Sequence, residues 1–297
     1  MIFGILLLVA TGASWVVTGA VIGGAARRNL SVGMVQAGSA LVTVAVSLAV
    51  LFFRPDPACG FQIRFWTMAS IFGSGFINYF VLLLMGRAMK TGPNGIVWAI
   101  VQSALIFPFL VGVIGFGVAL TPMRGVGLLA IIAALAFFGL ARDNRIQGRN
   151  WKWAALASLL LAGINQNLSN LPSYFPEAAA VGSVSRSLAS SFGTFLAFLA
   201  VNWRTLPARC GELKNPLVWR YIGWLAGSGI VAGYLLMYRG LNLVAEAGAG
   251  AVSYPVLVSS CIVSFTLYST VVLKEKLKLV QLGGLGLALA GILLITL

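Results

Sequence analysis

IFGSGFINYFVLLLMGRAM, residues 71–89, and LAGSGIVAGYLLMYRGLNL, residues 225–243, carry the same glycine frame. Gly73, Ser74, Gly75 and Gly86 in the first stretch match Gly227, Ser228, Gly229 and Gly240 in the second at identical spacing. Other pairs follow in order: ATGASWVVTG (10–19) with LAGINQNLSN (161–170), VGMVQAG (32–38) with VGSVSRS (181–187), and TPMRGVGLLAI from Thr121 with KLVQLGGLGLA from Lys278. One match between Gly/Ala/Leu-rich stretches is weak evidence, but several in register define an internal repeat.

The chain around the repeat is built for lipid. Of 297 residues, 60% are hydrophobic and only 9% charged, against about 25% charged in soluble domains. A bilayer core is crossed by about 20 apolar residues in a helix. Ten such stretches follow one another, at 2–23, 31–53, 65–86, 94–117, 123–141, 152–171, 178–201, 217–238, 249–273 and 279–297. The period-2 alternation of a β-barrel is absent, so the spans read as helices. The expected fold is an all-α integral membrane protein of ten transmembrane helices, arranged as two five-helix repeats over 1–146 and 147–297. No basic region precedes Ile2, so the first span reads as a permanent helix rather than a leader.

A formal charge of +14 does not point to nucleic acid, because the basic residues lie at span ends. Fifteen of the 20 Lys and Arg fall in alternate loops, among them Arg27, Arg28, Arg142, Arg145, Arg149 and Lys274. The positive-inside rule makes those loops cytoplasmic and both termini external. An odd number of helices per repeat inverts the second half relative to the first, and the charged loops shift accordingly. Inverted repeats are an architecture of secondary transporters. With no histidine, and Cys59, Cys210 and Cys261 at separate depths, neither a metal site nor a disulfide is expected, and no cofactor is called for.

LKEKLKLVQLGGLGLALAGILLI (273–295), with its Glu275 before a Gly-rich final helix, resembles the end of drug/metabolite transporter superfamily members of the ten-helix kind with two EamA-type repeats. Arg186 falls where that family commonly has an arginine, whereas the first repeat has Gln36 and Ala37 at that place and GFGVALTP in place of the glutamate. The resemblance spans the whole chain. It implies a multi-pass permease of a bacterial inner membrane, with both termini cytoplasmic, opposite to the charge reading.

Candidate site residues come from polar groups inside spans. At about 100° per residue, Asn165, Gln166, Ser169 and Asn170 share one helical sector while Asn167 stands apart. Ser14, Thr18, Thr11 and Trp15 repeat that sector in the matching first span. A carboxamide facing lipid leaves its polar atoms unsatisfied at a cost of about several kcal/mol, so both sectors are expected to face a cavity. Trp98 and Gln102 share a face of the fourth span; Asn78 and Tyr79 lie in the third and Tyr254 in the ninth. Pro108 and Pro255 interrupt the fourth and ninth spans. Trp66, Trp151, Trp153 and Trp203 read as interface anchors. Arg186 is the only charge well inside a span and needs a polar partner, a substrate or a backbone carbonyl. The six acids map to loops or span ends, so facilitated diffusion or exchange is expected rather than proton coupling.

The sequence thus predicts a carrier for a small polar organic solute, sugar-like or amino-acid-like, with the bilayer and further copies of the chain as candidate partners and no nucleic acid. The competing expectation is a membrane-embedded enzyme on lipid-linked substrates, which would need titratable groups converging in a cavity.

Overall fold

A computed structural model describes residues 1–117, 119–140, 150–247 and 250–295. Arg142, Asp143, Arg145, Arg149 and the expected repeat boundary lie outside the described residues, as does the side chain of Pro255. Among the described residues there is no strand. The helices are α1 (Ile2–Arg27), α2 (Val32–Phe53), α3 (Phe61–Thr91), α4 (Asn94–Gln102), α5 (Ile106–Phe116), α6 (Pro122–Leu140), α7 (Asn150–Asn170), α8 (Ser183–Asn202), α9 (Leu206–Cys210), α10 (Pro216–Ile230), α11 (Tyr238–Glu246), α12 (Gly250–Val271) and α13 (Leu279–Ile295). Among the described residues, six helical segments are long and apolar enough to cross a bilayer, including α4 with α5 and α10 running into α11. Their outer faces are apolar: Phe52, Phe53 and Phe61 are each at least 80% exposed, as a lipid-facing surface requires.

Local chemistry sets the breaks. Ser31 Oγ accepts from Met34 N at 3.2 Å and starts α2; Asn215 Oδ1 accepts from Leu217 N at 2.9 Å and starts α10 ahead of Pro216. Gly117, at φ +66°, ends α5 in the left-handed region that glycine tolerates. Pro108 cannot donate to the carbonyl four residues back, and the 3-10 turn Ser103–Leu105 separates α4 from α5 just there, as expected. In contrast, α12 runs without interruption through position 255.

Three features depart from the sequence reading. Residues Pro176–Ala180 form a 3-10 turn and α8 starts only at Ser183, although Ala178–Ala180 are apolar. Between α10 and α11, Val231–Met237 forms a π-helix, whereas the matching stretch in the first half lies within the regular helix α3. Trp151 is 6% exposed and packs on Gly92, so it is no interface anchor, while Trp66, Trp153 and Trp203 are over 60% exposed.

Contacts fix helix directions. Ser70 Oγ donates to Leu168 O at 2.5 Å and Ser158 Oγ to Val81 O at 2.9 Å, so α3 and α7 are antiparallel. Thr194 Oγ1 donates to Gly75 O at 2.9 Å and Asn202 Nδ2 to the Tyr79 hydroxyl at 3.0 Å, so α3 and α8 are parallel. Trp15 and Thr18 of α1 share a cavity wall with Ser74 and Asn78 of α3, Ile22 meets Gly86, and Arg27 Nε donates to Met89 O at 3.4 Å, so α1 runs parallel to α3 and therefore antiparallel to α7. The pairings also have counterparts in the other half. The packing of α3 on α7 and α8 corresponds to that of α10 and α11 on α1 and α2; α1 on α12 corresponds to α7 on α4 and α5; α2 meets α8 and α6 meets α13.

Glycine contacts differ between the halves. A Cβ on Gly75 would strike Ser190 O, and one on Gly193 would strike Phe72 O, so α3 and α8 touch backbone to backbone. The repeat-related Gly227 and Gly229 have nothing within 4 Å of such an atom. Where α6 meets α13, the close approach is Gly291 on Gly127 O, whereas Gly286 touches nothing.

Candidate functional site

The polar sectors converge. One lobe of a cavity, about 260 Å³, lies between α1, α3, α4, α7 and α12; its wall includes Trp15, Thr18, Ser74, Asn78, Trp98, Gln102, Asn165, Gln166, Ser169 and Tyr254. A second lobe of about 260 Å³ lies between α1, α2, α8 and the π segment, with Gln36, Ser39, Thr43, Ser187, Ser191, Thr194 and Gly229 on its wall. The lobes share Trp15, Thr18, Asn78, Leu82, Ser190, Met237 and Tyr238. No carboxylate lines either lobe among the described residues.

Helix geometry explains the membership on α7. Asn165, Gln166 and Ser169 lie within a sector of about 100° facing α3 and α12, and Asn170, about 40° further round, turns out of it. Asn165 joins the halves: Ser74 Oγ donates to its Oδ1 at 2.6 Å, and its Nδ2 donates to Asn78 Oδ1 at 3.4 Å. Gln166 Oε1 is buried without a partner. Asn167 donates to Gly163 O at 2.9 Å in its own helix, the structural role its separate position implied.

Three sequence candidates do not line the cavity. Tyr79 is 1% exposed and sits in the α3–α8 contact, its hydroxyl accepting from Asn202 and its ring edge-on to Phe198. Asn170 donates to the Tyr174 hydroxyl at 3.4 Å, one turn on in its own segment. Arg186 stands in the first turn of α8, not deep in a span, because that helix begins at Ser183. Its Nε donates to Val181 O at 3.0 Å and its Nη2 to Ala178 O at 2.7 Å, so it ties down the 3-10 turn ahead of α8. The guanidinium also lies 5.3 Å from the Tyr238 ring centroid. Among the expected partners, the backbone carbonyls are the ones found.

Trp98 is at the wall but committed to packing. Its indole N–H points at Cys261 Sγ, 3.2 Å away, and its ring stacks on Phe265 at 4.6 Å. Trp15, by contrast, is only half-buried and lines both lobes.

Gln36, Ser74, Ser190, Met237 and Tyr238 line the cavity although sequence reasoning did not select them. A helical wheel on α2 would have marked Gln36, an amide in an apolar helix. The π segment that aims Met237 left no local signal.

Beyond the start of α4, Glu275 closes one end of the bundle. Its Oε1 accepts from Asn94 N at 2.9 Å and from Arg27 Nη2 at 3.0 Å, and its Oε2 accepts from Gly95 N at 3.1 Å. A carboxylate at a helix N-terminus satisfies free N–H groups and complements the helix dipole. At the other end Asp56 Oδ2 accepts from Gly182 N at 3.0 Å, just ahead of α8.

These features define a helical membrane protein with an internal polar cavity between its two halves. No protein-family model matches the chain, and no curated protein matches it. Eleven chains of solved structures match. One, a crystal structure of a protein at 17% identity, covers 97% of this chain and 94% of its own with a TM-score of 0.58. That likeness is one of fold.

Proposed function

We propose that this chain is a secondary transporter of the drug/metabolite transporter kind, with ten spans in two inverted five-helix repeats, in a bacterial inner membrane. It moves a small polar organic solute, sugar-like or amino-acid-like, by alternating access through facilitated diffusion or exchange. The observation that carries this reading is the cavity at the seam, lined by pseudo-equivalent faces of α1 and α7. The antiparallel course of α1 and α7, and the paired contacts that exchange with the halves, support the inversion. Sites at the interface of inverted repeats are served by rocking one half against the other. The absence of a carboxylate on the described walls supports uncoupled movement, since proton carriers place titratable groups there.

Counterflow in proteoliposomes, with labelled sugars and amino acids trapped and exchanged, tests the proposal. Trp15→Ala, Asn165→Ala and Gln166→Ala should each reduce exchange of the solute that the wild type moves. Unchanged exchange and concentration dependence in all three would overturn the pocket, and no exchange of any solute would overturn the transport reading.

A further inference from the structure

The face of α1 turned away from the polar cavity lines a second opening. Val17, Ala20 and Gly24 fall within about 60° of one another around the helix, roughly opposite Trp15 and Thr18. With Val16 and Val21 they floor a groove of about 550 Å³, larger than either lobe of the cavity and sharing no residue with them. Its sides are Trp224 of α10, Tyr268 of α12 and Leu273 just beyond α12. Trp224 is 63% exposed, so this wall reaches the outer surface of the bundle.

One end of the groove is charged. Arg27 and Arg28, at the end of α1, lie beside Tyr221 of α10, and the missing side chain of Gly24 leaves room for the Tyr221 hydroxyl, 2.8 Å from where a Cβ would stand. Arg28 Nη1 donates to that hydroxyl at 2.5 Å, and the guanidinium lies 5.9 Å from the Tyr221 ring centroid. This engages one of the five N–H groups of the guanidinium. Arg27 pairs with Glu275 at 3.0 Å, whereas Arg28 has no carboxylate within ion-pair distance among the described residues. The groove therefore carries one uncompensated positive charge.

Its depth is also defined. The eleven residues from Val17 to Arg28 cover about 16 Å at the rise of an α-helix. Half of a bilayer's hydrocarbon core is about 15 Å. An apolar trough about one leaflet deep thus ends on an arginine. A soluble phosphate compound would leave the trough empty, and an uncharged lipid would leave Arg28 unbalanced. A phosphodiester suits the donors of a guanidinium, and basic pockets between membrane helices take anionic headgroups.

We infer that this groove binds an anionic phospholipid from the leaflet at the Arg28 end of the bundle, with the phosphodiester on Arg28 and Tyr221 and an acyl chain along Val17 and Ala20. Because α1 belongs to the first half of the chain and α10 and α12 to the second, the lipid bridges the halves on their outer face. The site goes beyond the transport reading and does not depend on it.

Thermal unfolding of the purified full-length protein in detergent, with phospholipids of identical dioleoyl chains added, tests the inference. Phosphatidylglycerol should stabilise the protein at a mole fraction about fivefold or more below that needed for phosphatidylcholine. Arg28→Gln should abolish that preference, and Arg28→Lys should keep part of it. Ala20→Phe, which fills the trough without changing charge, should weaken stabilisation by both lipids. Lys276→Gln removes a charge from the same end but off the groove wall, and should leave the preference intact. Glycerol phosphate, a headgroup without chains, should not stabilise the wild type. Equal action of the two lipids on the wild type overturns the inference, as does stabilisation by glycerol phosphate alone. An equal loss of preference in Lys276→Gln and Arg28→Gln would reduce the effect to a general attraction of the basic surface and overturns it too. If Arg28→Gln does not fold, the wild-type comparison and Ala20→Phe decide: undiminished stabilisation of Ala20→Phe shows that no chain lies in the trough.

Discussion

Ser74 and Asn165, from opposite halves of the chain, share a hydrogen bond of 2.6 Å, the hydroxyl donating to Oδ1. The same amide reaches Asn78, so one side chain on α7 holds two groups on α3. Asn165→Ala leaves the buried Ser74 hydroxyl and the half-buried Asn78 carbonyl without their partner. Each orphaned group costs about 1–3 kcal/mol. The Ser74→Ala/Asn165→Ala double variant should therefore lose less stability than the two singles together, by about 0.5 kcal/mol or more. Thermal unfolding of the three variants in one detergent measures it, and strict additivity would show that the bond contributes nothing.

Arg186 gives a contrasting expectation. Its hydrogen bonds go to Val181 O and Ala178 O, so Arg186→Ala should lower stability by about 2–3 kcal/mol while leaving the concentration dependence of exchange unchanged. Arg186→Lys should recover only part of the loss, since an ammonium does not reproduce the guanidinium's arrangement of donors. A raised half-saturation concentration with unaltered stability would instead put the guanidinium on the solute.

Glu275 joins the α12–α13 connection to α1 and to the start of α4. Glu275→Ala should destabilise the fold by about 1–3 kcal/mol, because three charge-assisted bonds are lost. Glu275→Gln should lie between wild type and Glu275→Ala, keeping one acceptor oxygen without the charge. Hydrogen exchange at the Asn94 and Gly95 amides should be faster in Glu275→Ala than in wild type, because both N–H groups lose their acceptor. Equal exchange rates would show that the carboxylate does not hold this end.

Trp98 separates packing from recognition. Trp98→Phe should keep the stack on Phe265 and cost about 1 kcal/mol, whereas Trp98→Ala should cost about 3–5 kcal/mol by opening a void. Exchange by Trp98→Phe should keep its concentration dependence; a tenfold rise in half-saturation would place the indole N–H on the solute rather than on Cys261.

The two Gly-Ser-Gly segments yield opposite outcomes from one substitution. Gly75→Ala forces a methyl group into Ser190 O, so the folded yield should fall sharply. Gly229→Ala meets open space and should leave stability within about 0.5 kcal/mol of wild type. Fluorescence-detected gel filtration of both variants checks the contrast.

The apolar stretches were legible because hydrocarbon demands length and lack of charge, and every one of them contains helix. The cavity faces on α1 and α7 were legible too, since an amide in an apolar helix must turn inward. Arg186 was misplaced for a definable reason: Ala178–Ala180 are as apolar as a span, but Pro176 and Gly182 bracket them and the chain makes a 3-10 turn. Asn78 and Tyr79 are neighbours, yet one lines the cavity and the other packs against α8; a wheel gives the angle between them but not what stands opposite. The π-helix at Val231–Met237 has the same sequence frame as regular helix in α3, so it arises from packing that no local pattern records.

The backbone contact between α3 and α8 has a consequence for the direction the molecule faces at rest. In the register that matches 32–38 with 181–187, the positions in α2 corresponding to Gly193 and Thr194 are Val44 and Ala45. Val44 has the side chain that Gly193 lacks, and Ala45 has no hydroxyl to match the bond from Thr194 to Gly75 O. The seam between α10 and α2 therefore cannot close as tightly as the seam already closed. On the rocking mechanism proposed above, the two orientations are unequal in energy: the repeat is symmetric in its outline and biased in its hinge, and the empty carrier waits on one side of the membrane.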